Sequence, residues 1–457
     1  MKKKIIVTVV LLFTALLPAQ VFGPRHLITE DAGSISGLRS GDLDADGDID
    51  LMSITSSILG WQENLDGLGN FGALIDIAPG MGQSLDQKLI DLDQDDKLDI
   101  IISYFDNDII AWYRNLGNGN FAAMQTLASG LNSASGIEPG DVDGDGDLDL
   151  VLGVTNGVGF YWIEHLDGNG TFGPLIPINT TLSQARMQRL GDIDGDGDLD
   201  ILTNAVGGTI LAWFENTDGN GSFSTQKIIE NSGQYENSFY LADLDGDEDL
   251  DIFSLSDRAF WRENTNGQGS FIERETLYTA NPGFIVSNLQ VFDIDNNNTF
   301  DVCFTTTEGA GYSLNDGNGN FSSIEIITPL ADFSPDGIMD NNDIDNDGDK
   351  DILSRARDLG ATGIVRNTYW LENTTILDTD TYAIEGLIIS PNPVDNIFSI
   401  KSIEPLKQAV FYHLLGQQLK TIKEDFTNID ISFLSTGIYF VEVQTSNGKV
   451  LKKIVKR

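Results

Sequence analysis

An all-β fold, a seven-bladed β-propeller followed by a small separate domain, is what this 457-residue sequence predicts. Three observations carry that expectation. An acidic string close to D-x-D-x-D-G-x-x-D recurs seven times, an aromatic tetrapeptide follows each string about twenty residues later, and short apolar runs without helical period fill the intervals. A repeat of about 50 residues that holds four such runs has the content of one four-stranded blade.

The elements follow in chain order. Met1-Lys2-Lys3-Lys4 precedes a mostly apolar stretch from Ile5 to Ala19, too short for the roughly 20 residues of a membrane span. Residues 1–19 have the pattern of a secretory signal cut after Ala19, and no cysteine follows to take a lipid. The mature chain is expected to be exported without a transmembrane segment. The strings begin at Asp42, Asp91, Asp141, Asp192, Asp243, Asp293 and Asp343, spaced 49, 50, 51, 51, 50 and 50 residues apart. Their tetrapeptides begin at Trp61, Trp112, Trp162, Trp213, Trp261, Tyr312 and Trp370, which uses all six tryptophans. In six units a Gly-rich turn such as Asp167 to Gly170 comes next. A Phe then opens another apolar run (Phe71, Phe121, Phe172, Phe223, Phe271, Phe321), as in a hairpin. One unit reads as strand, acidic loop, strand, short loop, Trp strand, Gly turn and strand. A linear β-solenoid fits less well, since its coils are usually shorter and need no hairpin turns.

The seventh unit lacks a Gly turn and a Phe-led fourth strand. Phe22-Gly23-Pro24 followed by His26-Leu27-Ile28 matches Phe172-Gly173-Pro174 followed by Leu175-Ile176. The mature N-terminus is therefore expected to supply the outer strand of the last blade and close a propeller over residues 20–376. Closure leaves few open sheet edges.

Acidic residues number 70 against 27 Lys and Arg, a formal charge of −43, which argues against nucleic acid or an anionic membrane as the main partner. The strings hold 34 of those acids, so the charge is placed and not the solvating charge of a disordered tail. Cys303 is the only cysteine, which removes intrachain disulfides, thiolate zinc sites and iron–sulfur clusters.

In such a loop the side chains at positions 1, 3 and 5 point the same way, glycine at 6 allows the chain to reverse, and Asp at 9 returns to the same centre. With a carbonyl from position 7 and water, they make up the roughly 6–8 oxygens that calcium takes; magnesium demands stricter octahedral geometry and keeps its waters. Without a cation, carboxylates about 4 Å apart repel by roughly 1 kcal/mol in water and about 4 at an effective dielectric of 20. The ligand set expected for Ca²⁺ is Asp42, Asp44, Asp46 and Asp50 in loop 1, and Asp91, Asp93, Asp95 and Asp99 in loop 2. Loop 3 offers Asp141, Asp143, Asp145 and Asp149, loop 4 Asp192, Asp194, Asp196 and Asp200, and loop 5 Asp243, Asp245, Asp247 and Asp251. Loop 6 offers Asp293, Asp295, Asn297 and Asp301, and loop 7 Asp343, Asp345, Asp347 and Asp351. Up to seven ions follow, with the sixth site weakest because Asn297 replaces a carboxylate. Loops 2, 5 and 6 also depart at the glycine position, with Asp96, Glu248 and Asn298. An EF-hand is excluded, since position 12 is Ser53, Ile102 or Leu152 where that motif needs Glu.

These loops and the Phe-Gly starts resemble FG-GAP or VCBS repeats, the type found in integrin α-subunit propellers. The resemblance covers about residues 22–375 and implies seven blades with calcium in the hairpin between the first and second strands of each. From Gly386 onward nine Lys and Arg face six Asp and Glu, with a linker over 377–385 before them. Ser390 to Pro393, Leu415-Gly416-Gln417, Leu434 to Phe440 and the basic end Lys452 to Arg457 resemble the type A sorting domain of the type IX secretion system. That implies a small C-terminal β-sandwich over 386–457, recognised by the type IX machinery, and a protein released or held at the outer cell surface.

Antiparallel alternation leaves the second-to-third and fourth-to-first strand loops on the face opposite the acidic loops. They hold Arg186, Arg189, Tyr235, Tyr278, Phe284, Phe333, Arg355 and Arg357, a candidate binding surface. One tryptophan per blade at a fixed position reads as packing between blades more than as sugar stacking. His26, His165 and His413 form no Ser/His/Asp arrangement. A non-catalytic module that binds a glycan or surface protein is the leading reading, and a calcium-dependent polysaccharide lyase or hydrolase on the same scaffold is the alternative.

Overall fold

The computed structural model of the chain describes residues 21–456, except 31–34, 206, 208, 232–235, 282–285, 330–332, 361–362, 375–386, 391–393, 395, 403–404, 414–417, 436 and 446–448. The expected signal peptide and the 377–385 linker lie outside the described residues. Two compact units are present: the first runs to Thr374 apart from Asp295–Asn298 and Asp345–Asp349, which group with the residues from Thr375 onward in the second.

Among its described residues the first unit contains seven four-stranded antiparallel sheets. In the first sheet Ile35–Gly41, Asp50–Thr55, Ile58–Gln62 and Ile75–Pro79 lie side by side in chain order. The same order holds in the next five. The last sheet takes Phe333–Asn342, Asp351–Gly360 and Gly363–Asn373 from the end of the unit and Phe22–Thr29 from its beginning. Phe22 stands opposite Asn373 and His26 opposite Trp370, so the N-terminal strand is the outer strand of this sheet. The first strand of each sheet lies beside the first strand of the next, and that of the seventh beside that of the first. This closed circuit is a β-propeller. Arg39 donates to Met339 O at 3.2 Å and Ser40 N to Asp340 at 2.7 Å, which ties the two ends of the circuit together.

Burial explains why the second strands show no polar alternation. Asp99–Tyr104, Asp149–Val154 and Asp200–Ala205 are buried at every residue, because each sheet packs both faces against neighbouring sheets. One apolar cluster, for instance, joins Ile101, Ile110 and Trp112 of the second sheet to Ile137, Leu150 and Leu152 of the third. The outermost strands, such as Phe271–Thr279, are largely exposed.

The tryptophans pack between sheets. A Cβ added to Gly119 would lie 2.1 Å from Trp61 Cζ2, and Gly170, Gly221, Gly269 and Gly319 abut Trp112, Trp162, Trp213 and Trp261 in the same way. Trp370 of the seventh sheet meets Gly69 of the first. Only a residue without a side chain fits beneath these rings, and each of these glycines has a positive φ.

The second unit holds two small sheets. Ile388–Ser390, Ile397–Lys401 and Ile429–Asp430 form one; Gln418–Ile422, Gln408–His413, Gly437–Gln444 and Lys449–Lys456 form the other. Phe398, Ile400 and Ile429 from the first share a single core with Phe411, Val441 and Val443 from the second. Among the described residues no helix is long and apolar enough to cross a membrane.

Candidate metal centres

Each acidic loop joins the first and second strands of a sheet, and the same two positions are left-handed in all seven copies. Position 6 has a left-handed φ at Gly47 (98°), Gly146 (97°), Gly197 (98°) and Gly348 (103°), and equally at Asp96 (65°), Glu248 (73°) and Asn298 (64°). The departures from glycine in loops 2, 5 and 6 thus keep the left-handed φ at this position. The position-1 carboxylate holds it. Gly47, Asp96, Gly197 and Glu248 donate their N–H to Asp42, Asp91, Asp192 and Asp243 at 3.0, 2.7, 3.0 and 3.1 Å. Position 4 is left-handed too, at Ala45, Gln94, Gly144, Gly195, Gly246, Asn296 and Asn346. Its prevalence of Gly and Asn was the available signal for this second reversal.

Position 9 does more than return a ligand to the centre. Asp50 Oδ2 accepts the N–H of Leu43 at 2.9 Å and its Oδ1 that of Asn64 at 2.9 Å. Asp99, Asp149, Asp200, Asp251, Asp301 and Asp351 repeat both bonds, from position 2 and from the last residue of the tetrapeptide. This carboxylate fastens the loop to the Trp strand. Its remaining lone pairs stay available to a cation. Burial, only partly offset by these bonds and reinforced by neighbouring aspartates, pushes Asp50, Asp99, Asp149, Asp200 and Asp251 up to about 7.

The tetrapeptide's final Asn reaches onward to another sheet. Asn64, Asn115, Asn216, Asn264, Asn315 and Asn373 donate side-chain N–H to the position-2 carbonyls of Ile344, Leu43, Val142, Ile193, Leu244 and Ile294 at 2.8–2.9 Å. Each acidic loop of those pairs is therefore anchored from the following sheet, and loop 7 from the first. In the third sheet His165 takes the Asn position, accepts Gly170 N at 2.8 Å and stacks on Phe172. His26 stacks on Trp370 and faces Glu372 at 3.8 Å. Both histidines have structural surroundings.

Carboxylate oxygens converge in the first four loops. Within 4.8 Å of one another stand ligand atoms of Asp42, Asp44 and Asp50; of Asp91, Asp93 and Asp95; of Asp141, Asp143 and Asp149; and of Asp192, Asp194 and Asp200. One further member was missed: Glu63, third in its tetrapeptide, joins Asp44 and Asp46. Its recurrence as Glu164, Glu215, Glu263 and Glu372 was the signal. Burial first, and then the neighbouring position-5 carboxylate, raises Asp44, Asp143, Asp194 and Asp245, the last to about 6; Glu63, Glu164, Glu215 and Glu263 add to it. Asp141 Oδ1, Asp194 Oδ1 and Asp245 Oδ1 are buried with no hydrogen-bond partner. Orphaned, crowded oxygens that resist ionisation are what an oxygen-liganded divalent cation would satisfy, so the residues fit calcium. In loops 6 and 7, Asp293, Asp295 and Asn297, and Asp343, Asp345 and Asp347, lie on the corresponding turns before Asp301 and Asp351.

Loop 2 differs. Arg114, in the place of Glu63, forms an ion pair with Asp93 and stands 3.3 Å from Asp95, while Lys97 lies 2.9 Å from the same Asp95 oxygen.

Of the residues expected on the opposite face, Arg186 and Arg189 line a cavity of about 610 Å³ to which the first-strand region of every sheet contributes. Arg39, Lys88, Gln87 and Gln188 line it too. Lys88 and Arg189 both pair with Glu138, at 3.1 and 3.3 Å, and Arg189 lies over the Tyr240 ring. Gln188 Oε1 and Arg186 Nε are buried without a hydrogen-bond partner. Arg355 donates to Ile35 O beside a second cavity, and Tyr278 bonds Thr307 at 2.6 Å. Tyr235, Phe284 and the side chains of Phe333 and Arg357 lie outside the described residues.

Comparison with known proteins agrees with this architecture. FG-GAP-like repeats match residues 91–152, 141–203 and 192–254, and a secretion system C-terminal sorting domain matches 389–457. No curated protein matches the chain. Among solved structures, a lectin of Agrocybe aegerita that recognises non-reducing terminal N-acetylglucosamine is 20% identical, with a TM-score of 0.50 over 65% of this chain and 81% of that one. BBS1N, solved in complex with ARL6DN, is 12% identical, with a TM-score of 0.49 over 78% of this chain and 98% of that one. With acidic loops, Trp strands and sorting tail all in place, the chain is a β-propeller protein that carries three FG-GAP-like repeats and ends in a secretion system C-terminal sorting domain.

Proposed function

We propose that this secreted propeller has seven blades, binds calcium in its acidic loops, and serves at the cell surface or beyond as a non-catalytic module that binds a glycan. Type IX export through the C-terminal domain, after a signal peptide at 1–19, delivers it there. The observation that carries the reading is the set of converging carboxylates with orphaned oxygens. Calcium would be held by positions 1, 3, 5 and 9, and it supplies the counter-charge that lets four or five carboxylates share one centre. The chain's own residues do the rest. The left-handed turns and the Asn anchors hold each loop in place between sheets.

For the ligand, the cavity's guanidinium, ammonium and amide groups offer donors and acceptors suited to hydroxyl and carboxyl groups. Gln188 Oε1 and Arg186 Nε are its unused acceptor and donor. The Agrocybe aegerita lectin supports the reading only as an instance of this fold in a sugar-recognising protein. The approach of Lys88, Arg189 and Tyr240 favours the lyase alternative, but Glu138 already engages both cations, so they act as hydrogen-bond donors in this arrangement. A glycan and protein array with the calcium-loaded mature propeller tests the proposal. Glycan retention that is lost in Arg186→Ala supports it; retention of protein alone, or cleavage of a retained polysaccharide, overturns it in favour of the protein-binding or enzymatic reading.

A further inference from the structure

The second loop sets the carboxylate arrangement of its neighbours against two cationic side chains that belong to its own repeat. Arg114 directly follows the Trp strand, where the first, third, fourth and fifth repeats carry Glu63, Glu164, Glu215 and Glu263. Lys97 lies at position 7, where those loops carry Asp48, Asp147, Asp198 and Asp249. Arg114 Nε pairs with Asp93, whose side chain is 1% exposed, and a terminal nitrogen of the same guanidinium is 3.3 Å from Asp95 Oδ2. Lys97 Nζ reaches that oxygen at 2.9 Å and the Asp95 carbonyl at 3.3 Å. Together the two groups bring two positive charges to the position-3 and position-5 carboxylates, which is the charge a calcium ion would bring. Asp93 Oδ1 and Asp95 Oδ1 accept no hydrogen bond, so the two cations oppose an ion by their charge and not by filling every acceptor position. Two independent side chains, one within the loop and one just after the Trp strand, converge on one carboxylate.

We infer that loop 2 is a permanently closed copy of the site, in which Arg114 and Lys97 take the place of the divalent cation, so that this blade keeps its loop without calcium. The inference rests on the calcium reading above and adds to it which loop stays out. It also reorders the sites, since loop 2 now ranks below loop 6.

The test counts calcium by native mass spectrometry on the mature protein, alongside melting in EDTA. The wild type, Asp93→Asn, Asp194→Asn and the double variant Arg114→Glu with Lys97→Asp are compared. Asp194→Asn is expected to bind one calcium fewer, Asp93→Asn the same number as wild type, and the double variant one more. A calcium lost from Asp93→Asn, or none gained by the double variant while Asp194→Asn loses one, overturns the inference and leaves the calcium reading standing. If wild type binds no calcium at all, the calcium reading fails, and the EDTA arm then decides whether Arg114 is the built-in counter-charge. In EDTA, Arg114→Gln should lower the melting temperature by several degrees and Glu63→Gln should raise or preserve it; the opposite ranking overturns the inference. Arg114 is 44% and Lys97 30% exposed, so the substitutions at these two residues do not disturb a core.

Discussion

Asp200 accepts N–H groups from Ile193 and Asn216, while Asp194 Oδ1 accepts none. The two aspartates of one loop therefore do separable work, and substitution distinguishes them. Asp200→Asn turns an acceptor into a donor that faces a buried N–H, which should cost about 1–3 kcal/mol with or without calcium. Asp194→Asn should lower stability only when calcium is present, because in its absence the change relieves repulsion. Thermal melts in calcium and in EDTA separate the outcomes. The raised position-9 carboxyls also give the metal-free protein a pH dependence. Above about pH 4 the unfolded chain has released these protons, whereas the folded metal-free chain keeps them until about pH 7. The folded state then binds more protons, so stability falls as pH rises through that window. The melting temperature in EDTA should drop between pH 5 and 7.5, and a rise over that interval would refute the burial argument.

At the scale of elements, the Asn anchor and the Trp–Gly contact join sheets that are far apart in sequence. Asn216→Ala leaves the Val142 carbonyl of another sheet without its buried donor and should destabilise by about 1–3 kcal/mol, as read from the denaturant midpoint. Gly119→Ala puts a methyl into Trp61 at a positive φ and should destabilise comparably. Much of this architecture was legible beforehand, because a blade writes its landmarks at a fixed period: the loop, the Trp strand, the Gly turn and the strand that matches Phe22-Gly23-Pro24. What stayed hidden depends on registry between repeats. That the Asn of Trp213 to Asn216 bonds a carbonyl 74 residues earlier, or that Glu63 swings toward Asp44, follows from how blades stack, and a spacing within one repeat does not show it. Position 6 does not require glycine: Asp96 and Glu248 take the left-handed conformation with their N–H groups held by the position-1 carboxylate, and Asn298 takes it too.

Across the whole molecule, seven sheets close only because Phe22–Thr29 completes the last one and Trp370 meets Gly69 of the first. Removal of residues 20–30 should expose the edge of Gly363–Asn373 and lower the melting temperature more than any single substitution above, which scanning calorimetry would show. The charge of −43 sets the other global condition. With 34 of the 70 acids in the acidic loops, the proposed calcium would counter part of that charge, and each occupied site would add about 2.7 kcal/mol at calcium 100-fold above its dissociation constant. The most direct measurement is thermal melting of the mature propeller as purified, after EDTA, and after calcium or magnesium is returned. A large drop in melting temperature with EDTA that calcium reverses and magnesium does not is the predicted result; a melting temperature indifferent to all three additions would contradict the account.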